Sequence, residues 1–244
     1  MQMLEELSMN AVPALQTLLY DGWILRFAEG YGNRANSVNP LYQSRHNINN
    51  KIDNCEKIFY SRSLNPTFKI TPFNLPNNLD EVLMNRRYSI IHLTSVQTLK
   101  LDKFEEPIIK SISMTHKFDE NWYYYYCNFN NMSGKNKIIY KKMLENLITS
   151  KYYILLLVDN EVVACGLFVI ENNFAGIFDI VVKEDYRKKG YGRQLMLNIL
   201  KYSNSNNTKF AYLQVLIDNV AALNLYSKLG FREAYKYYYR VLGR

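Results

Sequence analysis

The stretch Ile180-Val181-Val182-Lys183-Glu184-Asp185-Tyr186-Arg187-Lys188-Lys189-Gly190-Tyr191-Gly192-Arg193 decides the fold. It reads as an apolar strand, a short charged turn, and a helix opening on Arg187-x-x-Gly190-x-Gly192. Glycine lets the backbone come close to an anion, and the first-turn N–H groups of a helix have no partner within the helix. The helix dipole and the cations Arg187, Lys188, Lys189 and Arg193 attract the same sign of ligand. Cations at a helix start oppose the dipole when no anion is present, so their clustering here favours a polyphosphate site. The alternative is an exposed basic helix start. The dinucleotide fingerprint would need a third glycine, and the Walker loop would need Gly-Lys-Ser/Thr; neither is present.

A second informative stretch follows, Asp218-Asn219-Val220-Ala221-Ala222-Leu223-Asn224-Leu225-Tyr226-Ser227-Lys228-Leu229-Gly230-Phe231. Arg187, Gly190 and Gly192 fill the pattern Gln/Arg-x-x-Gly-x-Gly/Ala. The later stretch has Asn, Ala, Leu-Tyr and Gly-Phe in order. Together they resemble the acetyl-CoA loop and the following helix of the GCN5-related N-acetyltransferase (GNAT) family. The resemblance covers roughly residues 119–244. It implies an α/β (α+β) fold with a GNAT-like mixed, mostly antiparallel central sheet flanked by helices. It also implies transfer of an acetyl group from acetyl-CoA, as acyl-donor cosubstrate, to a primary amine by direct attack in a ternary complex. A catalytically silent acyl-CoA-binding or sensing protein is the alternative.

Composition sets the remaining bounds. The 244 residues suffice for one large or two small domains, and 48% are hydrophobic, enough for a packed core. The formal net charge of +8 suits a polyanionic cofactor, with a solvated basic surface as the alternative. No basic stripe interleaved with aromatics is present, so nucleic acid is not expected as a partner. Cys55, Cys127 and Cys165 are too far apart for a metal spacing or a disulfide framework, so no metal and a reducing, cytoplasmic compartment are expected. Glu5 and Glu6 with no long apolar run argue against a signal peptide, and apolar stretches such as 152–158 are too short to span a bilayer. The partner expected is an amine-bearing small molecule or peptide.

Hydrophobic spacing gives the layout. Residues 4–19 have helical spacing interrupted at Pro13. Trp23–Phe27 and 35–38 look like strands, 48–60 a helix striped with Ile48, Ile52, Cys55 and Phe59, and Thr67–Ile70 a strand. Residues 79–86 read as a helix and 88–101 as an extended strand. This half has no glycine-rich helix start, and its element order resembles a reduced acetyltransferase-like module without a cofactor site. A linker marked by Pro107 is expected over 103–117, dividing a smaller N-terminal α/β module (1–110) from the acetyltransferase domain (111–244). Helices over 119–129 and 138–148 follow, then strands 152–158, 162–170 and Phe174–Val182. The series ends with helix 191–202, strand 210–217, helix 219–229 with Asp218 as candidate cap, and one or two strands over 231–241.

Acetyl transfer requires a held cofactor, an amine that loses a proton, a stabilised oxyanion and a protonated leaving thiolate. The resemblance gives the backbone of Ile180, Val181 and Val182 to the pantetheine arm and thioester carbonyl, and the loop Arg187–Arg193, including Tyr191, to the pyrophosphate. Their alternative is plain core strand. Asn219, Ala222 and Tyr226 lie at i, i+3 and i+7, on one helix face. The resemblance makes Tyr226 the general acid, while Asn219 and Ala222 border the pantetheine. A buried tyrosine and a helix-terminal asparagine are the alternatives. Asp179 is the one charge in an apolar strand, where desolvation would raise its pKa. General base, amine anchor and structural residue all remain open for it. In other members of the family the base lies elsewhere on this strand, where this chain has Gly176. Glu171 is a weaker candidate, and Cys165 remains possible as an acyl carrier.

Overall fold

The computed structural model describes residues 1–243. Its contacts form two units, residues 1–95 with the chain from Tyr235 onward, and Val96–Ala234.

The first unit holds α1 (Gln2–Ala11), β1 (Gln16–Tyr20), β2 (Trp23–Phe27), β3 (Val38–Pro40), α2 (Ile48–Ser61), β4 (Thr67–Ile70), α3 (Leu79–Asn85) and the start of β5 (Ser89–Lys100). β1, β2 and β3 pair antiparallel, and β3 lies parallel to β4 through Val38↔Phe68. The end of β11 (Arg232–Val241) closes this unit antiparallel to β4. Ile52, Cys55 and Phe59 form the buried stripe of α2, packed in one core with Trp23, Leu25 and Phe68. The expected helix over 4–19 stops early. Pro13 cannot donate within a helix and disfavours helical backbone before it. Beyond it, Asp21 and Gly22 adopt φ of 44° and 81°, the hairpin turn that folds β1 onto β2. The strand expected over 35–38 begins later, at Val38, after a short 3-10 turn at Asn33–Ala35.

The second unit contains the end of β5, then β6 (Ile112–Thr115), α4 (Glu120–Phe129), α5 (Gly134–Glu145), β7 (Ser150–Val158), β8 (Glu161–Glu171), β9 (Phe174–Val182), α6 (Tyr191–Ser205), β10 (Phe210–Leu216), α7 (Val220–Lys228) and the start of β11. Its strand order is β5-β10-β9-β8-β7-β6. From β6 to β9 the strands pair antiparallel, and β9–β10 is parallel, which gives the mixed, mostly antiparallel sheet expected. Asp159-Asn160 and Asn172-Asn173, all at positive φ, close the two hairpins. Leu195, Met196, Ile199 and Leu200 of α6 are wholly buried in one core with Phe168, Ala175, Ile177, Ala211 and Leu213. Truncating one of these leucines to Ala would cost about 2–5 kcal/mol.

Both units share one plan: helix, three antiparallel strands, helix, a strand parallel to the third, helix, final strand, to which the second unit adds β6 and a second helix at its start. The expected boundary at 110/111 falls inside the second unit, since the chain crosses within β5 and returns within β11. The segment expected as a linker is held along α6. Gln194 Oε1 accepts from the backbone N of Ile108 (2.8 Å) and Ile109 (3.0 Å), and Asn198 Nδ2 donates to Ile109 O (2.8 Å). Glu105 pairs with Arg193 at 2.6 Å and Glu106 with Lys201.

Candidate active site

The β9–β10 ladder is short. It pairs Phe174–Ile177 with Phe210–Leu213 and ends there, although β9 continues to Val182 and β10 to Leu216. Beyond Ile177 the two parallel strands part. Across its other edge β9 carries a bulge: Cys165 pairs with Val181 and Leu167 with Phe178, so Gly166 faces both Asp179 and Ile180. Asp179 takes φ of 55°, an uncommon conformation for a residue other than glycine. Gly166 makes room for the bulge, because a Cβ there would lie 2.6 Å from Ile180 Cδ1. The Gly166 carbonyl accepts from Trp122 Nε1 of α4 at 2.8 Å.

The bulge presents Asp179 to two helices. Tyr126 of α4 donates its hydroxyl to Oδ1 at 3.1 Å, and Tyr140 of α5 donates to Oδ2 at 2.5 Å. Trp122 stacks on Tyr126 with ring centroids 5.1 Å apart and planes 7° apart, and the rings of Tyr126 and Tyr140 lie 5.0 Å apart. Burial, and then the Asp179 charge, push the Tyr153 phenol up. The same two causes push the Cys165 thiol well above its ordinary range. Cys165 is fully buried, so a thiolate nucleophile is not available there. Gly176 is occupied space: a Cβ would lie 2.5 Å from the Tyr212 hydroxyl. Glu171 pairs with Phe174, at the far end of β9 from Val182.

The loop after Val182 is built for close approach. Gly190, at φ 85°, is the N-cap of α6 and offers no side-chain cap. A Cβ on Gly190 would meet nothing within 4 Å. One on Gly192 would make only ordinary contacts, with Val182 Cγ2 at 3.4 Å and Leu225 Cδ2 at 3.5 Å. The end of β9, the start of α6 and the side of α7 therefore meet at Gly192. Arg187 donates Nε to Val182 O at 3.3 Å and lies 3.8 Å from Glu184. Lys189 sits over the Tyr186 ring, which also neighbours Tyr191. Arg193 is turned to Glu105. Ile180 and Val182 pack on the core with half-buried side chains, and the β10 ladder does not reach them.

Asn219 is the N-cap of α7 and accepts from Ala222 N at 3.1 Å; Asp218, the cap expected from sequence, lies one residue outside. The amide NH2 of Asn219 can still donate. No residue of α7 is fully buried. Tyr226 packs on Phe231, with ring centroids 5.9 Å apart, and burial pushes its phenol up to about 12. The seven residues from Asn219 to Tyr226 span about 10 Å along the axis.

Sequence reading missed Tyr126 and Tyr140. The i, i+4 spacing of Trp122 and Tyr126 on one helix face was the available signal. Among the described residues no three His, Cys, Asp or Glu side chains gather as metal ligands, and no helix is long and apolar enough to cross a membrane.

A cradle with room for a ligand at Gly190 and Gly192, an uncapped helix start and parted strands fit a pyrophosphate-bearing thioester cofactor. Comparison with known proteins bears on family and fold. Residues 114–231 match the model of the acetyltransferase (GNAT) family. An uncharacterized N-acetyltransferase of Bacillus subtilis, YobR, is 25% identical over 243 residues, covering 98% of this chain and 97% of that protein. The GCN5-related N-acetyltransferase from Kribbella flavida superposes with a TM-score of 0.73 at 9% identity, over 98% of this chain and 94% of the other. A tandem GNAT protein from the clavulanic acid biosynthesis pathway superposes with a TM-score of 0.64 at 12% identity, over 98% and 88%. Residues 114–231 thus carry an acetyltransferase domain of the GNAT family, and the chain shares its fold with GNAT proteins.

Proposed function

We propose that this protein transfers an acetyl group from acetyl-CoA to a primary amine by direct attack within a ternary complex. The observation that carries this reading is the early end of the β9–β10 ladder beside the glycine-lined start of α6. Bound acetyl-CoA supplies an acyl thioester. The first-turn N–H groups of α6, with Arg187, Lys188 and Lys189, hold its pyrophosphate. Arg193 joins them by leaving Glu105. The backbone of Ile180–Val182, unpaired by β10, bonds the pantetheine arm and donates to the oxyanion. Asn219 adds its amide NH2 beside Ala222. The ammonium first gives one proton to solvent. The neutral amine nitrogen then forms a bond to the acyl carbon as the C–S bond breaks, and Tyr226 gives its proton to the departing sulfur. The resulting phenolate takes back the proton that the new amide nitrogen releases. With its phenol at about 12, Tyr226 is protonated at neutral pH and so available as a donor.

Asp179 fits an amine anchor better than a base. Each of its oxygens already accepts a phenol hydroxyl. Two hydrogen bonds to the charged carboxylate fix its orientation, and the remaining lone pairs of its oxygens can accept from an ammonium. Buried Cys165 disfavours an acyl-enzyme route. The first unit reads as a reduced acetyltransferase-like module without a cofactor site, because its matching helix start is filled by its own side chains. Three free, buried cysteines suit a reducing compartment, the cytoplasm.

Calorimetry with acetyl-CoA tests the cofactor assignment, and one equivalent bound per chain is expected. Thiol release with spermidine, 2-phenylethylamine and an alanine-terminated peptide then tests transfer to an amine. Failure to bind acetyl-CoA, or binding of two equivalents, would overturn the placement.

A further inference from the structure

Asp179 is expensive to maintain. It is a half-buried carboxylate in an apolar strand, and its left-handed backbone costs about 1–3 kcal/mol. A well-packed apolar residue in ordinary strand geometry would be cheaper. Instead two helices each supply one phenol to one of its oxygens. Those phenols are themselves fixed. Trp122 stacks on Tyr126 and is tied to the bulge through the Gly166 carbonyl, while Tyr140 packs against the Tyr126 ring. Each phenol hydroxyl acts on the carboxylate as a hydrogen-bond donor that fixes its direction. Asp179 lies two residues beyond Ile177, where β9 and β10 part.

We propose that Tyr126 and Tyr140 are positioning residues that hold Asp179 so that its carboxylate receives the ammonium of the acceptor at the acyl end of the cleft. This rests on the reading of the β9–β10 opening as the cofactor cleft. Two probes separate the two ideas without knowledge of the acceptor. S-(2-aminoethyl)-CoA delivers an ammonium next to the sulfur, and S-propyl-CoA is its neutral isostere. Calorimetry on the full chain should show the wild type favouring the ammonium probe by about tenfold. Asp179→Asn should abolish that preference. Tyr126→Phe and Tyr140→Phe should each reduce it by about threefold, and the double variant should approach the Asn level. S-propyl-CoA affinity should hold in every variant, which also reports correct folding, and a merely structural role would not change the ratio. Equal affinity of the wild type for both probes, or full preference in both single Phe variants, overturns the proposal. Binding of neither probe nor acetyl-CoA removes the cleft assignment itself and the proposal with it.

Discussion

Two helix starts in this chain, α6 in the second unit and α2 in the first, occupy the same place in the same element order and are finished in opposite ways. α6 begins on Gly190 with no side-chain cap. α2 begins on Asn47, whose side chain accepts from Asn49 N at 2.9 Å and from Asn50 N at 3.5 Å. The loop before α2 is also closed: the Asp21 carboxylate accepts from the backbone N of Arg45 and of His46, each at 3.0 Å. Lys51, wholly buried, lies 3.2 Å from that carboxylate and 3.9 Å from the Trp23 ring centre. One start thus carries its own anion and its own cap, and the other leaves both places open. A shared fold does not make a shared site, and the proposed placement of the ligand at α6 follows from this difference in how the backbone donors are filled.

The largest expected effect isolates chemistry in the open copy. Tyr226→Phe keeps the packing on Phe231 and removes only the hydroxyl. Acetyl-CoA affinity should stay nearly intact while kcat falls by about 10²–10⁴. Wild-type turnover by this variant would remove the acid assignment. The wild-type pH profile adds an independent check. An ordinary phenol ionises near 10, whereas burial pushes Tyr226 up to about 12. The donor therefore stays protonated through pH 10, and kcat should show no alkaline limb from this group below about pH 11. A limb centred at 10 that disappears in Tyr226→Phe would contradict its desolvation.

The next effect addresses the open helix start directly. Gly192→Ala adds a methyl that meets only ordinary contacts in the protein, so the fold should tolerate it. Any loss of acetyl-CoA affinity then reports the ligand's claim on that space. Gly192→Asp adds a negative charge there as well and should weaken binding by at least about tenfold, more than Ala does. Affinity should also fall as salt rises, since Arg187, Lys188 and Lys189 are exposed. The matching change in the closed copy, Asn47→Ala, should cost about 1 kcal/mol of stability. That corresponds to a fall in Tm of about 2–4 °C, with cofactor affinity unchanged. A drop in cofactor affinity from Asn47→Ala would break the contrast between the two starts.

Much of this contrast was legible in the sequence, for reasons that also explain what was not. Gly190 and Gly192 stand out because glycine after an apolar strand and before a helical stripe has few other uses. The α6 stripe at Leu195, Met196, Ile199 and Leu200 follows from helical periodicity alone. Asp179 showed as a lone charge, but its bulge did not, because a register shift depends on which residue faces it across the sheet. Here that residue is Gly166, on the other strand of the hairpin, and the sequence does not show where the hairpin's register shifts. Tyr126 and Tyr140 were hidden among 21 tyrosines. The first hairpin was missed because the apolar spacing of residues 4–19 outweighed the Asp21-Gly22 turn signal. Asp21 itself drew no attention as an internal anion, since its partners are backbone amides more than twenty residues away.

The smallest expected effect tests that internal anion. The backbone N–H of His46 is the main cause holding the Asp21 carboxyl well below the usual carboxylate range; the Arg45 N–H and Lys51 add to it. A depressed folded value contributes stability that is complete above the unfolded value, about 3.9, and is lost as pH falls toward the folded value. Asp21→Asn keeps the shape and removes the charge. Above about pH 5 the variant should melt below the wild type by a constant margin, and that margin should shrink on acidification from pH 4 to pH 3. Lys51 keeps the Asp21 carbonyl and the Ser44 hydroxyl as partners in the variant, so the first unit should still fold. Thermal melts of both proteins between pH 7 and pH 3 supply the comparison. A margin that stays constant down to pH 3 would mean that the Asp21 charge does not stabilise this loop. The closed helix start would then owe its closure to Asn47 and packing alone, and the idea of a built-in anion standing where the other copy takes a phosphate would fail.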